Sequence, residues 1–279
     1  MHRFFIPPEL LSRMGTIALP KDIAHQVRDV LHLAVSEQLV LLDNSGDEVL
    51  AQVAKSSRTG VEVELLERRA GKRESHVRII LCQGLLKSAR FEWILEKGTE
   101  LGVATFAPIL CRRSMTGLED AGSSKTQRWQ RIIREAAEQC GRSRLPELLP
   151  IRPLMHALND IPPGALALMP WEEEHARSLR DCLRIPLSDP TSTVGAGVER
   201  GWEGALVAAR GDPRGRPRPA GTSPTITIVL FIGPEGGLMS EEVKLAQRHG
   251  VQVVTLGPRI LRAETAALTT VANVMYELE

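Results

Sequence analysis

Apolar and polar residues alternate over short segments in the first 70 residues of the chain. The clearest case is Val-Glu-Val-Glu-Leu at 61–65, whose period of two is typical of a strand with one exposed face. Apolar segments at 40–42 and 49–54 flank the turn-forming sequence Asp43-Asn44-Ser45-Gly46. A helical pattern is confined to about 21–33. Together these features predict a small β-rich domain of the barrel type.

The pattern changes after a polar, turn-prone segment at 70–75. Apolar, strand-like runs then alternate with helical patterns, and the runs lie at 77–81, 105–110, 165–169, 226–232 and 251–256. This alternation predicts an α/β domain with a mainly parallel sheet and helices on both faces. We therefore expect one domain at 1–72 and a second at 73–279.

Residues 189–224 interrupt the second pattern. Twelve of these 36 residues are Gly or Pro, and the part GDPRGRPRPAGTSP at 211–224 contains almost no side chain suited to packing in a core. This composition predicts a mobile insertion between two strands of the sheet. Its Arg214, Arg216 and Arg218 are possible RNA contacts, but a solvated loop explains them as well.

Composition excludes several classes of protein. The 43% hydrophobic content supports a large core, and the longest apolar runs are too short to span a bilayer. The N-terminal sequence lacks the apolar segment of a secretory signal, so a cytoplasmic protein is expected. The four cysteines lack CxxC spacing and the histidines do not cluster, so neither a disulfide framework nor a metal site is expected.

Charge is distributed unevenly although the net charge is only +1. Residues 1–72 hold nine Lys and Arg against ten Asp and Glu, whereas residues 73–152 hold fourteen against nine. An excess of this kind indicates a polyanionic partner, or an ordinary salt-bridged surface.

The candidate chemistry lies near the C-terminus, in two segments where a strand is followed by a Gly-containing loop and a helix. In the first, the run at 226–232 leads into Gly233-Pro234-Glu235-Gly236-Gly237, and Ser240 is the expected N-cap of a helix that opens with two Glu. In the second, a loop from Gly257 precedes Arg262 and Glu264 at the start of the last helix. Neither loop matches a P-loop or the GxGxxG fingerprint. Both predict the walls of one ligand pocket at the carboxyl edge of the sheet.

Several long segments resemble, in the same order, the ribosomal RNA uracil-N3 methyltransferases of the SPOUT superfamily. These segments are MHRFFIPP, FEWILEKGTELGVATFAPIL, RWQRIIREAAEQCGRSRLPEL, IGPEGGLMSEEV and LGPRILRAETAAL. Residues 24–31 also resemble the family's H…VLR element, with His32 in place of its final Arg. The resemblance covers nearly the whole chain apart from 189–224.

The resemblance implies an architecture that periodicity alone would not suggest. It implies an N-terminal PUA-like β-barrel that binds RNA, a C-terminal SPOUT domain with a trefoil knot, and a homodimer. A knot departs from the general rule that chains are not threaded. It also implies a site for S-adenosylmethionine formed by Leu168, Met169, Pro170, Gly233, Pro234, Glu235, Gly236, Gly237, Leu256, Gly257, Ile260, Leu261, Thr265 and Ala266.

The implied activity is methylation of a uracil N3 in the decoding region of 16S ribosomal RNA, within the 30S subunit. Uracil N3 becomes a good nucleophile when its proton is lost or the resulting anion is stabilised; a guanidinium could hold the negative charge and a carboxylate could accept the proton. Arg262 is the candidate for stabilising the anion, and Glu264 or Glu235 for accepting the proton. Arg262 as a surface ion pair and Glu264 as a helix-start residue stay open.

Basic residues are the candidates for contacts with RNA phosphates. They are Arg3, Arg28, Lys87, Arg112, Arg113, Arg128, Arg142 and Arg144. The family's Glu-Arg-Ser element reads Arg112-Arg113-Ser114 here, so no role of its Glu is carried over.

Two other functions are compatible with much of this pattern. A SPOUT ribose 2′-O-methyltransferase would share the knot and the cofactor loops, but the N-terminal and ELGV segments speak against it. A non-catalytic ribosome-assembly factor would bind RNA without needing intact cofactor loops, and both loops are intact in this sequence.

Overall fold

The computed structural model describes residues 1–114, 122–184 and 226–279. Contacts divide the chain into two compact units. The first comprises 1–74 and 134–145, and the second comprises 75–133 with the described residues from 146 onward. The sequence pattern did not indicate that 134–145 belongs with the first unit. The predicted insertion at 189–224, with Arg214, Arg216 and Arg218, lies outside the described residues.

The first unit contains a mixed sheet. Its strands are β1 (Arg3–Phe5), β2 (Thr16–Ala18), β3 (Gln38–Leu42), β4 (Asp47–Ser57) and β5 (Gly60–Ala70). The order is β1-β3-β4-β5-β2, in which β1 and β3 are parallel and the other neighbours antiparallel. Within the described part of the chain, β1 and β2 form the two edges of this sheet. A mixed, open sheet is thus what the structure shows, and its closure into a barrel stays a prediction.

The predicted helix at 21–33 is present but ends earlier. It consists of α1 (Lys21–His25), which continues as a π-helical turn at Gln26–Val30. His32 has a φ of 52°, a left-handed conformation that is incompatible with a continuing right-handed helix. The helical pattern of the sequence therefore extended past the point at which the backbone turns.

A buried carboxylate holds two arginines in the first unit. Glu48 is 5% exposed and accepts hydrogen bonds from Arg3 Nη1 at 2.7 Å and from Arg69 Nη2 at 3.0 Å. Burial raises the pKa of Glu48, but hydrogen bonds and charge from Arg3 and Arg69 outweigh burial and lower it overall. The folded protein is therefore stabilised by the ionised form of Glu48.

Replacing Glu48 with Gln is expected to destabilise the first unit by about 3 kcal/mol, because a buried pair loses one charge and leaves the arginines behind. The wild-type contribution is fully present above the ordinary pKa of 4.5 and disappears as the pH falls through the lower folded value. Urea unfolding at several pH values measures both effects. Glu64→Gln, at an exposed position of β5, is the control. Equal stability of the two variants would contradict the prediction.

The second unit is built on a parallel sheet, as predicted. Its strands are β6 (Val77–Gly84), β7 (Val103–Leu110), β8 (Glu147–Leu148), β9 (Arg152–Pro153), β10 (Leu166–Pro170), β11 (Ile226–Ile232) and β12 (Gln252–Val254). The order is β12-β10-β11-β6-β7-β8, with β9 also paired to β7, and every pairing is parallel. The last strand is shorter than the predicted segment at 251–256.

Helices cover both faces of the parallel sheet. On one face lie α2 (Ser88–Glu100), the first part of α3 (Ser123–Cys140), α5 (Leu179–Leu183) and α7 (Ala263–Leu278). The other face is covered by α4 (Leu154–Asn159) and α6 (Ser240–Arg248). None of the helices in the described ranges has the length and apolar character needed to cross a bilayer.

The expected cap of α6 was wrong. Ser240 is the first helical residue, and the N-cap position belongs to Met239. Glu242 takes over the capping role, since its carboxylate accepts the backbone N–H groups of Met239 and Arg112, each at 2.9 Å.

Candidate active site

Three loops meet at the carboxyl edge of the parallel sheet. They follow β10, β11 and β12, which are neighbours in the sheet and run in the same direction. Between them lies a cavity of about 270 Å³. Its lining consists of Pro170, Trp171, Glu172, His175, residues 232–238, residues 255–263 and Ala266. This arrangement is the usual position of a ligand site in an α/β fold.

The glycines of these loops allow close approach of the backbone. Gly237 has a φ of 73° and Gly257 a φ of 115°, conformations that residues with a Cβ rarely adopt. The Gly237 N–H donates to Pro234 O at 2.9 Å, which closes the turn after β11. A Cβ at Gly236 would lie 3.0 Å from the Cβ of Arg113. The turn is therefore compact, and at Gly236 and Gly237 its backbone lines the cavity without a side chain.

The end of β6 packs closely against the turn after β11. A Cβ at Gly84 would lie 2.5 Å from the backbone nitrogen of Pro234. Gln83 Nε2 donates to the carbonyl oxygens of Gly84, at 2.9 Å, and Gly233, at 3.3 Å. The two neighbouring strands are thus held together at the edge where the cavity opens.

Most of the predicted cofactor residues line the cavity. Those that do so are Pro170, Gly233, Pro234, Glu235, Gly236, Gly237, Leu256, Gly257, Ile260, Leu261 and Ala266. Leu168 and Met169 are fully buried within β10, and Thr265 is exposed on α7. These three residues lie outside the lining.

Other lining residues escaped the sequence reasoning. Trp171, Glu172 and His175 follow β10 directly, and Arg259 lies in the loop after β12. Their only signal in the sequence is their position just beyond predicted strand ends. A carboxylate, an imidazole and a guanidinium thus join the polar groups at the cavity.

The two predicted catalytic residues occupy different environments. Arg262 is the exposed N-cap residue of α7 and lines the cavity. Glu264, two residues later, is buried, and its Oε1 lies 3.6 Å from Arg90 Nε. The Arg90 Nη1 also donates to Glu235 Oε1 at 2.8 Å. Sequence reasoning missed Arg90, which connects both candidate carboxylates.

The candidate RNA-contact residues differ in their exposure. Lys87, Arg112, Arg113, Arg128 and Arg144 are exposed. Of these, Arg113 Nη1 donates to Gly236 O at 3.1 Å, and Arg128 pairs with Glu92 at 2.7 Å.

The other candidates are more strongly engaged in ion pairs. Arg28 pairs with Asp29 at 2.6 Å, and Arg3 pairs with Glu48. Arg142 is 7% exposed and lies 3.0 Å from Glu74 Oε2. Burial gives Arg3 and Arg142 structural roles in the folded chain.

Three of the four cysteines lie in the interior. Cys82, Cys111 and Cys182 are buried, and Cys140 is half-buried. Burial raises the pKa of the Cys82 thiol to about 12 and that of Cys182 to about 11. Within the described ranges, no group of three His, Cys, Asp or Glu side chains is arranged to hold a metal ion.

The family model of the RNA methyltransferase domain matches residues 73–210 and 212–275. These residues include all three loops of the cavity. The chain belongs to the RNA methyltransferase family. The cavity at the carboxyl edge and the short loops that form it therefore lie within the matched domain.

Known proteins resemble the chain over its full length. Ribosomal RNA small subunit methyltransferase E from Bacillus subtilis is 27% identical, covering 100% of the chain and 98% of that protein. The protein of the same name from Synechocystis is 29% identical, covering 100% of the chain and 78% of its own length. The resemblance thus includes residues 1–72, which lie outside the matched family domain.

Two crystal structures show the same fold. Ribosomal RNA small subunit methyltransferase E from Neisseria gonorrhoeae, bound to S-adenosyl methionine, is 29% identical with a TM-score of 0.78, covering 99% of this chain and 97% of that one. A putative methyltransferase from Legionella pneumophila, also with bound cofactor, is 27% identical with a TM-score of 0.75, covering 98% and 96%.

Replacing Gly84 with Ala tests the support of the turn after β11. The added methyl group would overlap the backbone of Pro234, so we expect a loss of about 1–3 kcal/mol in stability. Displacement of the turn should also weaken cofactor binding about tenfold, which corresponds to 1.4 kcal/mol. Thermal unfolding and calorimetry measure the two effects. Gly60→Ala is the control, because its added Cβ meets no atom within 4 Å among the described residues, its two chain neighbours apart. Matching results for both variants would refute this role of Gly84.

Proposed function

We propose that this RNA methyltransferase transfers a methyl group from S-adenosylmethionine to N3 of a uracil in the decoding region of 16S ribosomal RNA. The observation that carries the proposal is the three-loop cavity, whose lining contains both Gly-containing segments. Supporting it are the full-length similarity to two small-subunit ribosomal RNA methyltransferases and two related structures that contain the cofactor.

The residues at the cavity suit the chemical groups of S-adenosylmethionine. Leu256, Ile260 and Leu261 offer apolar contacts for an adenine ring. Glu172 and Glu235 offer negative charge for a sulfonium and an ammonium group. The compact turn around Gly236 and Gly237 leaves backbone groups accessible for the amino-acid portion. When bound, the cofactor supplies an activated methyl group.

The chain must make uracil N3 nucleophilic and hold it in line with that methyl group. In our proposal the exposed guanidinium of Arg262 stabilises negative charge on a uracil carbonyl oxygen. A carboxylate accepts the N3 proton. Glu264 suits this task better than Glu235, because Glu235 Oε1 is already engaged by Arg90 at 2.8 Å. Alignment of the reacting groups contributes much of the acceleration.

The target uracil must be unpaired or flipped out, because N3 lies on the Watson–Crick edge. We propose that Lys87, Arg112, Arg113 and Arg128 hold the surrounding RNA through its phosphates, since their side chains are exposed. Arg28 and Arg144 are assigned the same role in the first unit. We do not include Arg3 and Arg142, whose guanidinium groups are buried in ion pairs.

The remaining architecture is proposed from the family resemblance. We infer that 1–72 is a PUA-like RNA-binding domain, that 73–279 is a SPOUT domain, and that the enzyme is a cytoplasmic homodimer. The resemblance also implies a trefoil knot within this SPOUT domain.

Mass spectrometry of 16S ribosomal RNA from a strain that lacks the gene tests the proposal. We expect loss of one 3-methyluridine and its return when the gene is restored. Retention of the mark would overturn the assignment. Calorimetry with S-adenosylmethionine separates an enzyme from a non-catalytic assembly factor, for which no binding is expected. A ribose 2′-O-methyltransferase would instead leave 3-methyluridine intact and remove a ribose mark.

A further inference from the structure

The guanidinium of Arg90, on α2, is shared by two carboxylates from different loops of the site. Its Nη1 donates to Glu235 Oε1 at 2.8 Å, and its Nε lies 3.6 Å from Glu264 Oε1. Glu235 belongs to the turn after β11, and Glu264 to the first turn of α7. One cation therefore faces two acids, both of which are candidates for accepting a proton.

The carboxylate of Glu264 is buried but incompletely paired. Its side chain is 8% exposed, and its Oε2 has no hydrogen-bond donor among residues 1–114, 122–184 and 226–279. A buried charged oxygen without a donor costs free energy, and such atoms are rare in folded proteins. Oε1 faces Arg90, so Oε2 is the oxygen that retains the capacity to accept a proton.

We infer that Arg90 is a positioning residue that holds Oε1 of Glu264, so that Oε2 accepts the N3 proton of the target uracil. This inference rests on the proposed uracil-N3 methylation. A cation next to a buried carboxylate stabilises the charged form against the effect of burial. Hydrogen bonds at an active site commonly reach their final geometry only with substrate bound, so the covered position of Oε2 is compatible with this role.

The transfer of atoms and electrons is balanced. The N3–H bond breaks as the Oε2–H bond of Glu264 forms. N3 then bonds to the methyl carbon while the electron pair of the carbon–sulfur bond goes to sulfur. The proton on Glu264 passes to water after the methylated RNA leaves, which restores the ion pair with Arg90.

The charged groups around Glu264 are few in the described part of the second unit. From α2 it faces Arg90, and through Arg90 it is linked to Glu235. Arg262 precedes it by two residues at the N-cap of α7. On α5, Arg184 pairs with Glu277 near the opposite end of α7, and β6 and β11 contribute apolar side chains to the shared core. Arg90 is therefore the cation that lies against the Glu264 carboxylate, with its Nε 3.6 Å from Oε1.

The test is the rate of a single round of methyl transfer to 30S subunits, measured against pH at saturating S-adenosylmethionine. In Arg90→Gln, we expect the pH of half-maximal rate on the acid side to rise by about 1–3 units, the shift that loss of an adjacent opposite charge produces. Arg90→Lys should return the profile toward that of the wild type. Arg248→Gln, which removes an exposed arginine of α6, should leave both rate and profile unchanged.

Glu235→Gln is expected to shift the pH–rate profile in the opposite direction. This second variant provides a test even if Arg90→Gln is unstable. It removes the acid that competes for Arg90, so the acid limb should move to lower pH. Calorimetric affinity for S-adenosylmethionine is measured on every variant to separate cofactor binding from proton transfer. A wild-type profile in both Arg90→Gln and Glu235→Gln would overturn the role of Arg90. A wild-type enzyme that transfers no methyl group would instead disprove the proposed function.

Discussion

Glu264→Gln is expected to slow methyl transfer by about 10²–10⁴-fold, the contribution that a positioned acid or base typically makes. The amide retains the shape of the carboxylate but cannot accept a proton from uracil N3. Affinity for S-adenosylmethionine should stay within about threefold, because Glu264 lies outside the cavity lining. Single-turnover assays on 30S subunits and calorimetry measure the two quantities.

A matched variant and a measurement of the stability of Glu264→Gln are the controls for this prediction. Glu241→Gln removes an exposed carboxylate from the first turn of α6, so it reproduces the loss of charge at a helix N-terminus, worth about 0.3–1 kcal/mol. It should transfer the methyl group at the wild-type rate. If Glu264→Gln is folded, binds the cofactor and keeps at least a third of the wild-type rate, Glu264 is not the base.

Strands whose burial follows a simple rule were predictable from the sequence. In β5, Val61, Val63 and Leu65 are buried while Glu62 and Glu64 are exposed, which confirms the period-two interpretation. The central strand β11 occupies the predicted apolar run because both of its faces are covered by helices. Buried parallel strands produce such continuous apolar runs, so the sequence indicates where these strands lie.

Strand pairing was harder to foresee than strand position. β1 is parallel to β3, although 32 residues separate Phe5 from Gln38 in the chain. No local pattern specifies such a partner, because pairing depends on which faces are left uncovered after the chain has folded. The same reason explains why residues 134–145 could not be assigned to the first unit from their own sequence.

Parts of the candidate site formed by residues close together in the sequence were predictable. Parts formed by residues far apart in the chain were not. The Gly-containing loops are local motifs, and they line the cavity as a consequence of the sheet order. Arg90 lies on α2, 145 residues before its partner Glu235 in the chain. Only the adjacency of β6 and β11 brings them together.

The predicted RNA contacts also show that sequence reasoning misses partners that lie far away in the chain. Arg3 and Arg142 contribute to local positive charge in the sequence, but each has a distant acidic partner, Glu48 and Glu74 respectively. Counting charges along the chain treats these arginines like the exposed Arg112. Desolvation distinguishes the ion-paired arginines from the exposed ones. A buried arginine needs a fixed counterion, and it is then not accessible to RNA phosphates.

Arg262→Ala is the second substitution with a large expected effect. If its guanidinium stabilises the uracil anion, the rate of methyl transfer should fall about 10²–10³-fold, the usual cost of removing one group that stabilises developing negative charge. Arg262→Lys should recover part of the rate, since an ammonium keeps the charge but not the planar geometry. The exposed position at the N-cap predicts little change in thermal stability.

Cofactor affinity and pH decide how the Arg262 result is interpreted. Arg262 lines the cavity, so a modest weakening of S-adenosylmethionine binding is compatible with its role, whereas a loss confined to binding is not. Its effect should also be greatest at low pH and smaller at high pH, because N3 of free uracil becomes easier to deprotonate as the pH rises. Unchanged turnover at saturating cofactor would remove Arg262 from the mechanism and leave anion stabilisation to another group, for which the nearby Arg259 is the first candidate to test.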